Sequence, residues 1–293
     1  MIVPPPLRPG DLVAAFAGSS PFDPTLAFRG LAFLRERYRV RWDRSLFERK
    51  GYLAGDDGRR LGELARALAD PEVRAVVAVR GGYGLSRIAP ALDLGALARA
   101  PRWVVGFSDV TALHVELARL GVASLHGPMV AALGRGDAWT RERWVRALEE
   151  PLAPCAFEGL RAWAGGRAEG PLVGGNLSLL HACAAAGRLA LPPSAVVLLE
   201  DVGERPYRLD RMLTTLLQGG HLRGAAGVLV GDFNECGPGP DGVRAEEVLR
   251  ERLGGLGVPV LAGAPVGHER YNHPLVLGRR WRLDAGEGSA RAL

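Results

Sequence analysis

The chain has 293 residues, 47% of them hydrophobic, with 40 glycines and 21 prolines; this turn-rich globular composition excludes a disordered or fibrous protein. Its formal charge of +5 rests almost wholly on arginine, Lys50 being the one lysine, and the arginines are interleaved with acids, so no basic run marks a nucleic-acid-binding face. No apolar stretch reaches the roughly 18–20 residues of a bilayer span, and the start, Met1 to Pro6, lacks the basic and apolar regions of a secretory leader, so a cytoplasmic protein is expected.

The length suits two domains of about 100–150 residues. Strand and helix patterns alternate from the outset. Asp11–Gly18 reads as a buried strand ending in the small-residue turn Gly18-Ser19-Ser20-Pro21. Asp23 then caps a helix that begins at Pro24, with Leu26, Leu31 and Leu34 turned inward. After a short strand, Val40 to Trp42, a Gly-rich loop (Gly51–Asp57) leads into a helix with Leu61, Leu64, Ala65 and Leu68 on one face. Val73–Val79 is a nearly continuous apolar run, as in strands buried on both faces, and Arg80-Gly81-Gly82-Tyr83-Gly84 follows at its carboxyl end. Next come Val104 to Thr111, a strand near Val122–Leu125 and a helix over Thr140–Glu149. The first half therefore reads as a parallel sheet covered by helices.

From Pro151 to Gly170 the pattern breaks up, as in a crossing between domains. Domains are accordingly expected at 1–150 and 171–293, with 151–170 as linker. The second half opens with Gly174-Gly175-Asn176 at the head of an apolar helix. It continues as strand Ala195–Leu199, helix Arg205–Gln218, strand Ala225–Val230, helix Val243–Leu253 and strand Val258–Leu261, closing on short strands at Leu275–Leu277 and Trp281–Leu283.

Ser108 stands out within Val104-Val105-Gly106-Phe107-Ser108-Asp109. An apolar strand that stops at glycine and restarts as a helix lifts a hydroxyl off the sheet, and the next backbone N–H, that of Asp109, is then available to hold an oxyanion. The same residues also fit a strand end with a capping serine. A nucleophilic serine needs a base and a carboxylate. His268 lies in a loop after a strand end and is the leading base, with His126 second. His114, about 240° around the same helix from Ser108, cannot face it. Glu200, with Asp201, ends the strand Ala195–Leu199 at a sheet's carboxyl edge, where α/β proteins place ligands. Metal motifs are missing: His268 and His273 would diverge by about 140° on a helix, and Cys155, Cys183 and Cys236 form no Cys-x-x-Cys pair. Gly82-Tyr83-Gly84 lacks the third glycine of a dinucleotide loop.

Taken in order, these motifs resemble the LD-carboxypeptidases, the serine peptidases that trim murein tetrapeptides. The similarity runs through Ala17-Gly18-Ser19-Ser20, Leu53-Ala54-Gly55-Asp56, Arg80-Gly81-Gly82-Tyr83-Gly84, Gly106-Phe107-Ser108-Asp109 and His126-Gly127-Pro128-Met129. It continues in Gly174-Gly175-Asn176-Leu177, Leu199-Glu200-Asp201, Pro206–Leu213, Gly231-Asp232-Phe233 and Gly267-His268. The resemblance implies an α/β fold with an N-terminal flavodoxin-like domain that supplies Ser108 and a C-terminal swivelling β/α domain that supplies Glu200 and His268. It also implies a Ser-His-Glu triad, oxyanion donors at the N–H groups of Gly82 and Asp109, no cofactor or metal, and a homodimer. The substrate would be a murein tetrapeptide or related anionic peptide, with Arg80, Tyr83, Asn176 and Arg205 as candidate contacts. A related branch cleaves peptide-nucleotide or aminoacyl-nucleotide toxins and confers immunity. A two-domain binding protein that has lost catalysis is the non-enzyme alternative.

Overall fold

Three largely apolar runs and two shorter strands of the first half become one parallel sheet. In the computed structural model, which describes residues 1–293, β1 (Leu12–Phe16) lies between β2 (Arg39–Arg41) and β3 (Val73–Ala78), and β4 (Trp103–Gly106) and β5 (Ser124–His126) extend the sheet beyond β3. The order β2-β1-β3-β4-β5 is that of flavodoxin-like folds. The chain moves one way from β1 to β2 and the other way from β3 to β5, so connections leaving β1 and β3 part at their carboxyl ends and open a crevice there.

The helices follow their local signals. In α1 (Pro24–Arg35) the Asp23 carboxylate accepts from Thr25 N–H, and Leu31 and Leu34 are buried while Leu26 is half-buried. In α2 (Asp57–Ala69) the inward face is rotated from the one expected: Leu64 and Leu68 are buried, but Leu61 and Ala65 are only half-buried, and Arg60, Glu63 and Ala67 take the inner positions. Then come α3 (Leu85–Ile88), α4 (Thr111–Arg119), α5 (Val130–Arg135) and α6 (Ala138–Glu149). Helices α1 and α5 touch backbone to backbone: a Cβ at Gly30 would stand 1.9 Å from the Val130 carbonyl oxygen, and one at Gly134 2.0 Å from that of Leu26. The buried indoles of Trp103 and Trp144 donate to Pro5 O and Pro128 O, each at 2.9 Å.

The stretch expected as a linker is structured. It holds β6 (Ala156–Phe157), β7 (Arg161–Ala164) and the first residues of β8 (Arg167–Asn176). The sequence pattern gives no sign of β6 and β7 because short edge strands with exposed residues carry no long apolar run. After α7 (Leu177–Ala185) come β9 (Ala195–Val202), α8 (Pro206–Gln218), β10 (Ala225–Asn234), α9 (Ala245–Gly254) and β11 (Val260–Ala262). Strands β8, β9, β10 and β11 pair in parallel, and β7 closes one edge antiparallel to β11. The other edge is completed by β13 (Arg280–Asp284), β14 (Ser289–Ala292) and β6, all antiparallel.

The strand β12 (Leu275–Leu277) corrects the sequence reading, which left it in the second half: it adds a sixth strand beside β5. Its three residues are all apolar and buried, a pattern that names a strand without naming its partner. The chain accordingly divides into two compact units. One is Ile2–Leu152 with His273–Val276; the other is Ala153–Asn272 with Leu277–Leu293 and Met1. No helix is long and apolar enough to cross a membrane.

Candidate active site

In the first unit, Ser108 follows β4 at a sharp turn with φ of +60°, a left-handed conformation that costs a non-glycine residue about 1–2 kcal/mol. Gly106 enters this turn at φ +156°, where a Cβ would meet the Val110 side chain at 2.6 Å. The capping-serine alternative fails on geometry, since Ser108 opens the short 3₁₀ turn Ser108–Val110 and α4 starts only at Thr111 without a side-chain cap. The Gly-rich loop after β3 lies against the hydroxyl: a Cβ on Gly81 would be 2.9 Å from both the Cβ and the Oγ of Ser108. That loop is held by the turn after β1. Ser20 N–H donates to Gly81 O at 3.3 Å, Tyr83 N–H donates to Ser20 Oγ at 3.2 Å, and Gly82 takes a φ of +109° that leaves no room for a side chain above Ser20.

Beneath these loops is a buried polar layer that apolar periodicity overlooked. The Asp109 carboxylate, fully buried, accepts from Ser19 Oγ at 2.6 Å and from Leu85 N–H at 2.8 Å, both at Oδ2. Burial pushes its pKa up to about 6 even though these donors and Arg60 favour the charged form. Arg60, also fully buried, donates from Nη1 to Gly18 O at 2.6 Å and Gly84 O at 2.8 Å, so one guanidinium ties both loops. Glu63 accepts from Ala17 N–H at 2.8 Å and pairs with Arg59 at 2.7 Å. The positions 60, 63, 64, 67 and 68 do repeat with helical spacing. Charged residues at two of them hid the true face of α2.

In the second unit, Glu200 sits on β9, wholly buried, with Oε2 2.7 Å from Nδ1 of His268. A carboxylate can only accept, so Nδ1 carries the proton and Nε2 is left as the basic nitrogen. Burial lowers the His268 pKa, but the hydrogen bond and charge of Glu200, with Asp201 and Asp232, outweigh it and raise the value above the ordinary 6.5. The loop bearing His268 is fixed at several points. Gly267, at φ +142°, donates to Asn272 Oδ1 at 3.2 Å, and Asp232 N–H donates to Val266 O at 2.8 Å. The Asn234 amide donates to His268 O at 3.4 Å. A Cβ on Gly267 would crowd Glu200 Oε2 at 3.2 Å and Asp232 Cβ at 3.0 Å, so glycine is what lets the histidine approach its carboxylate.

Asp201, next along the strand, faces the other way, as alternation requires, and accepts from the N–H and hydroxyl of Ser178 at the start of α7. It is a structural acid that holds the start of α7, the helix before β9. Asp232 had no role in the sequence reading beyond its place in a motif; burial and the charges of Glu269 and Glu200 push its pKa up to about 7. Its position on an exiting strand, like that of Glu200, was the available signal.

The remaining candidates have these surroundings. Arg80 is exposed and its guanidinium donates to Pro21 O. Tyr83 is exposed with its ring 6.0 Å from that of Tyr52. Arg205 is exposed and donates to Pro238 O at 3.2 Å. Asn176 is buried: its carbonyl caps α7 by accepting from Leu179 N–H at 3.1 Å and its amide donates to Asp201 at 3.0 Å, which ties it to the fold. His114 bonds Gly106 O at 2.9 Å and Ser124 Oγ at 2.8 Å, and burial drives its pKa down to about 3, so it is a neutral core residue. His126, the second candidate base, is fully buried with its ring 5.7 Å from that of Phe107.

Residues 13–127 match the LD-carboxypeptidase N-terminal domain and residues 169–283 the LD-carboxypeptidase C-terminal domain. The chain belongs to the LD-carboxypeptidase family. A Bacillus subtilis protein named probable murein peptide carboxypeptidase is 34% identical, with 97% of this chain and 92% of that protein covered. The murein tetrapeptide carboxypeptidase of Pseudomonas aeruginosa is 35% identical over 78% of each chain. Among solved structures, the muramoyltetrapeptide carboxypeptidase of Oxalobacter formigenes aligns at a TM-score of 0.84 and 27% identity, covering 96% of this LD-carboxypeptidase family member and 97% of that chain. The microcin C7 self-immunity protein with glutamyl sulfamoyl guanosine aligns at 0.87 over 100% and 98% of the two chains; at 21% identity this shows a shared fold.

Proposed function

We propose that this family member is a cytoplasmic LD-carboxypeptidase that releases the terminal D-alanine from murein tetrapeptides by a Ser-His-Glu mechanism. Ser108 is the nucleophile, His268 the general base and Glu200 the carboxylate that orients it. The observation that carries the chemistry is the 2.7 Å bond between buried Glu200 and His268 Nδ1, which leaves Nε2 basic. The strained turn at Ser108 and the glycine loop against its hydroxyl support the nucleophile.

In this mechanism Ser108 Oγ attacks the carbonyl carbon of the L,D amide as its proton passes to His268 Nε2. The N–H groups of Gly82 and Asp109 stabilise the oxyanion, and Glu200 stabilises the imidazolium. The C–N bond then breaks, the departing amine takes the proton from His268, and water, deprotonated by the same imidazole, hydrolyses the acyl-enzyme. Arg80 and Arg205 are proposed contacts for substrate carboxylates, with Tyr83 beside the oxyanion loop and Asn176 framing the start of α7. A homodimer is the proposed assembly, and no cofactor enters any step.

Murein is favoured over a nucleotide-linked peptide because the relatives named for murein peptides are 34–35% identical, whereas the microcin C7 self-immunity protein of Escherichia coli is 23% identical. A side-by-side assay tests this: D-alanine should be released from tetrapeptides carrying diaminopimelate or lysine. Turnover of an aminoacyl sulfamoyl nucleotide alone would overturn the assignment, and Ser108→Ala with undiminished D-alanine release would overturn the nucleophile.

A further inference from the structure

The carboxylate of Asp109 is a buried, ionisable group that the mechanism above does not use. Only its backbone N–H enters that scheme. We propose that the Asp109 side chain is a positioning residue that sets the register of the Gly81–Gly84 loop, so that one residue supplies one oxyanion donor from its backbone and places the other through its carboxylate. The inference rests on the reading of Gly82 and Asp109 as oxyanion donors.

The geometry is specific. Oδ2 accepts from Leu85 N–H at 2.8 Å, and Leu85 is the first residue of α3, immediately after the Gly-rich loop. Gly84 before it offers no side chain to cap that helix, so the Asp109 carboxylate takes one of its orphan N–H groups from across the fold. The same oxygen accepts from Ser19 Oγ at 2.6 Å. Ser20, the next residue, holds the loop at its other end through Gly81 O and Tyr83 N–H. The loop is thus fastened on both sides of Gly82, at Gly81 and Tyr83 by Ser20 and at Leu85 by Asp109, with Ser19 linking the two fastenings. Arg60 closes the circuit by donating to Gly18 O and Gly84 O.

A fold with only packing to satisfy would have no need of this arrangement. Asp109 Oδ1 is buried and makes no hydrogen bond, so the carboxylate sits there at a desolvation cost that an apolar residue would avoid. A carboxylate accepts two donors on one oxygen in a fixed direction. Because Asp109 directly follows Ser108, any shift of the nucleophile carries the loop with it. The distance from serine to oxyanion donor is then set by one short, stiff connection and not by the summed slack of three loops.

The test uses the full-length protein and two variants, Ser19→Ala and Asp109→Asn, with a fluorophosphonate that phosphonylates the nucleophilic serine. Its phosphoryl oxygen takes the oxyanion position, so the covalent rate reads loop placement while the half-saturating concentration reads binding. Both variants are expected to slow the covalent step about 10–100-fold, less than the 10²–10³ lost with an oxyanion donor itself, and to leave the half-saturating concentration within about threefold. Ser19→Thr, which retains the hydroxyl, should recover most of the rate. A purely structural role would lower the melting temperature without changing the rate per folded molecule. Unchanged covalent rates in folded Ser19→Ala would overturn the proposal, and Ser19→Ala serves alone if Asp109→Asn fails to fold. Wild-type protein that the probe does not label at Ser108 would overturn the nucleophile assignment, and this inference with it.

Discussion

Replacing Glu200 by glutamine keeps the size of the side chain and removes its charge where the structure leaves least room for compensation. Glu200 is wholly buried and Oε2 lies 2.7 Å from His268 Nδ1. A hydrogen bond between charged partners of this kind contributes about 1.5–3 kcal/mol, and its loss alone would slow the reaction by about 10–150-fold. The amide does further damage. If its NH₂ faces Nδ1, the imidazole proton moves to Nε2, the atom that must accept from Ser108. The two effects together predict a fall in kcat of about 10³–10⁴, or roughly 4–5.5 kcal/mol in the barrier, with KM little changed. D-alanine release from a tetrapeptide, followed across the pH range, measures it. His268 must be neutral to act as base, and the carboxylate holds its pKa above the ordinary value, so the acid limb of kcat should move to lower pH in the variant. A loss below tenfold, or an acid limb that stays in place, would refute the triad.

Ser108→Ala should reduce D-alanine release to background with a melting temperature within about 2 °C of wild type, because the φ of +60° and its strain remain. The Glu200–His268 pair should stabilise the fold most in acid. The folded-state pKa of His268 is raised above 6.5, so the contribution is complete below that value and is lost as pH rises through the folded one; chemical denaturation at several pH values should show the slope, and Glu200→Gln should flatten it. Gly30→Ala should destabilise by about 3 kcal/mol or more in urea unfolding, since the new methyl would stand 1.9 Å from Val130 O and would force α1 and α5 apart. Gly174→Ala should do the same at the second sheet, with Leu198 O at 2.3 Å and a φ of +117°.

Much of the fold is legible in local pattern. Strands β1, β3 and β4 of the first sheet are largely apolar runs, and the cap at Asp23 forms as read. The failures share a cause: periodicity reports which residues are apolar, not what they meet. Two-residue β6 and four-residue β7 are partly exposed edge strands whose existence depends on partners far along the chain, β14 and β11. Strand β12 was visible as a strand, yet its pairing with the first sheet required the chain to return after all of β11. At the candidate site, residue types and motif order pointed to Ser108, Glu200 and His268, while the buried braces Arg60 and Glu63 and the half-buried Asp232 passed unnoticed because a charged residue reads as solvated unless its surroundings are known.

The sequence by itself determined the longer strands and helices, the elbow at Ser108, the family and the residue types available for chemistry, because each depends on neighbours within a few positions or on motif order. Only the tertiary structure decided that His268 meets Glu200 and not a second acid, that Asp201 turns away, and that Asp109 fastens the glycine loop. Those pairings depend on strand register and on which face a side chain leaves, and a shift of one residue in either would exchange Glu200 for Asp201 at His268.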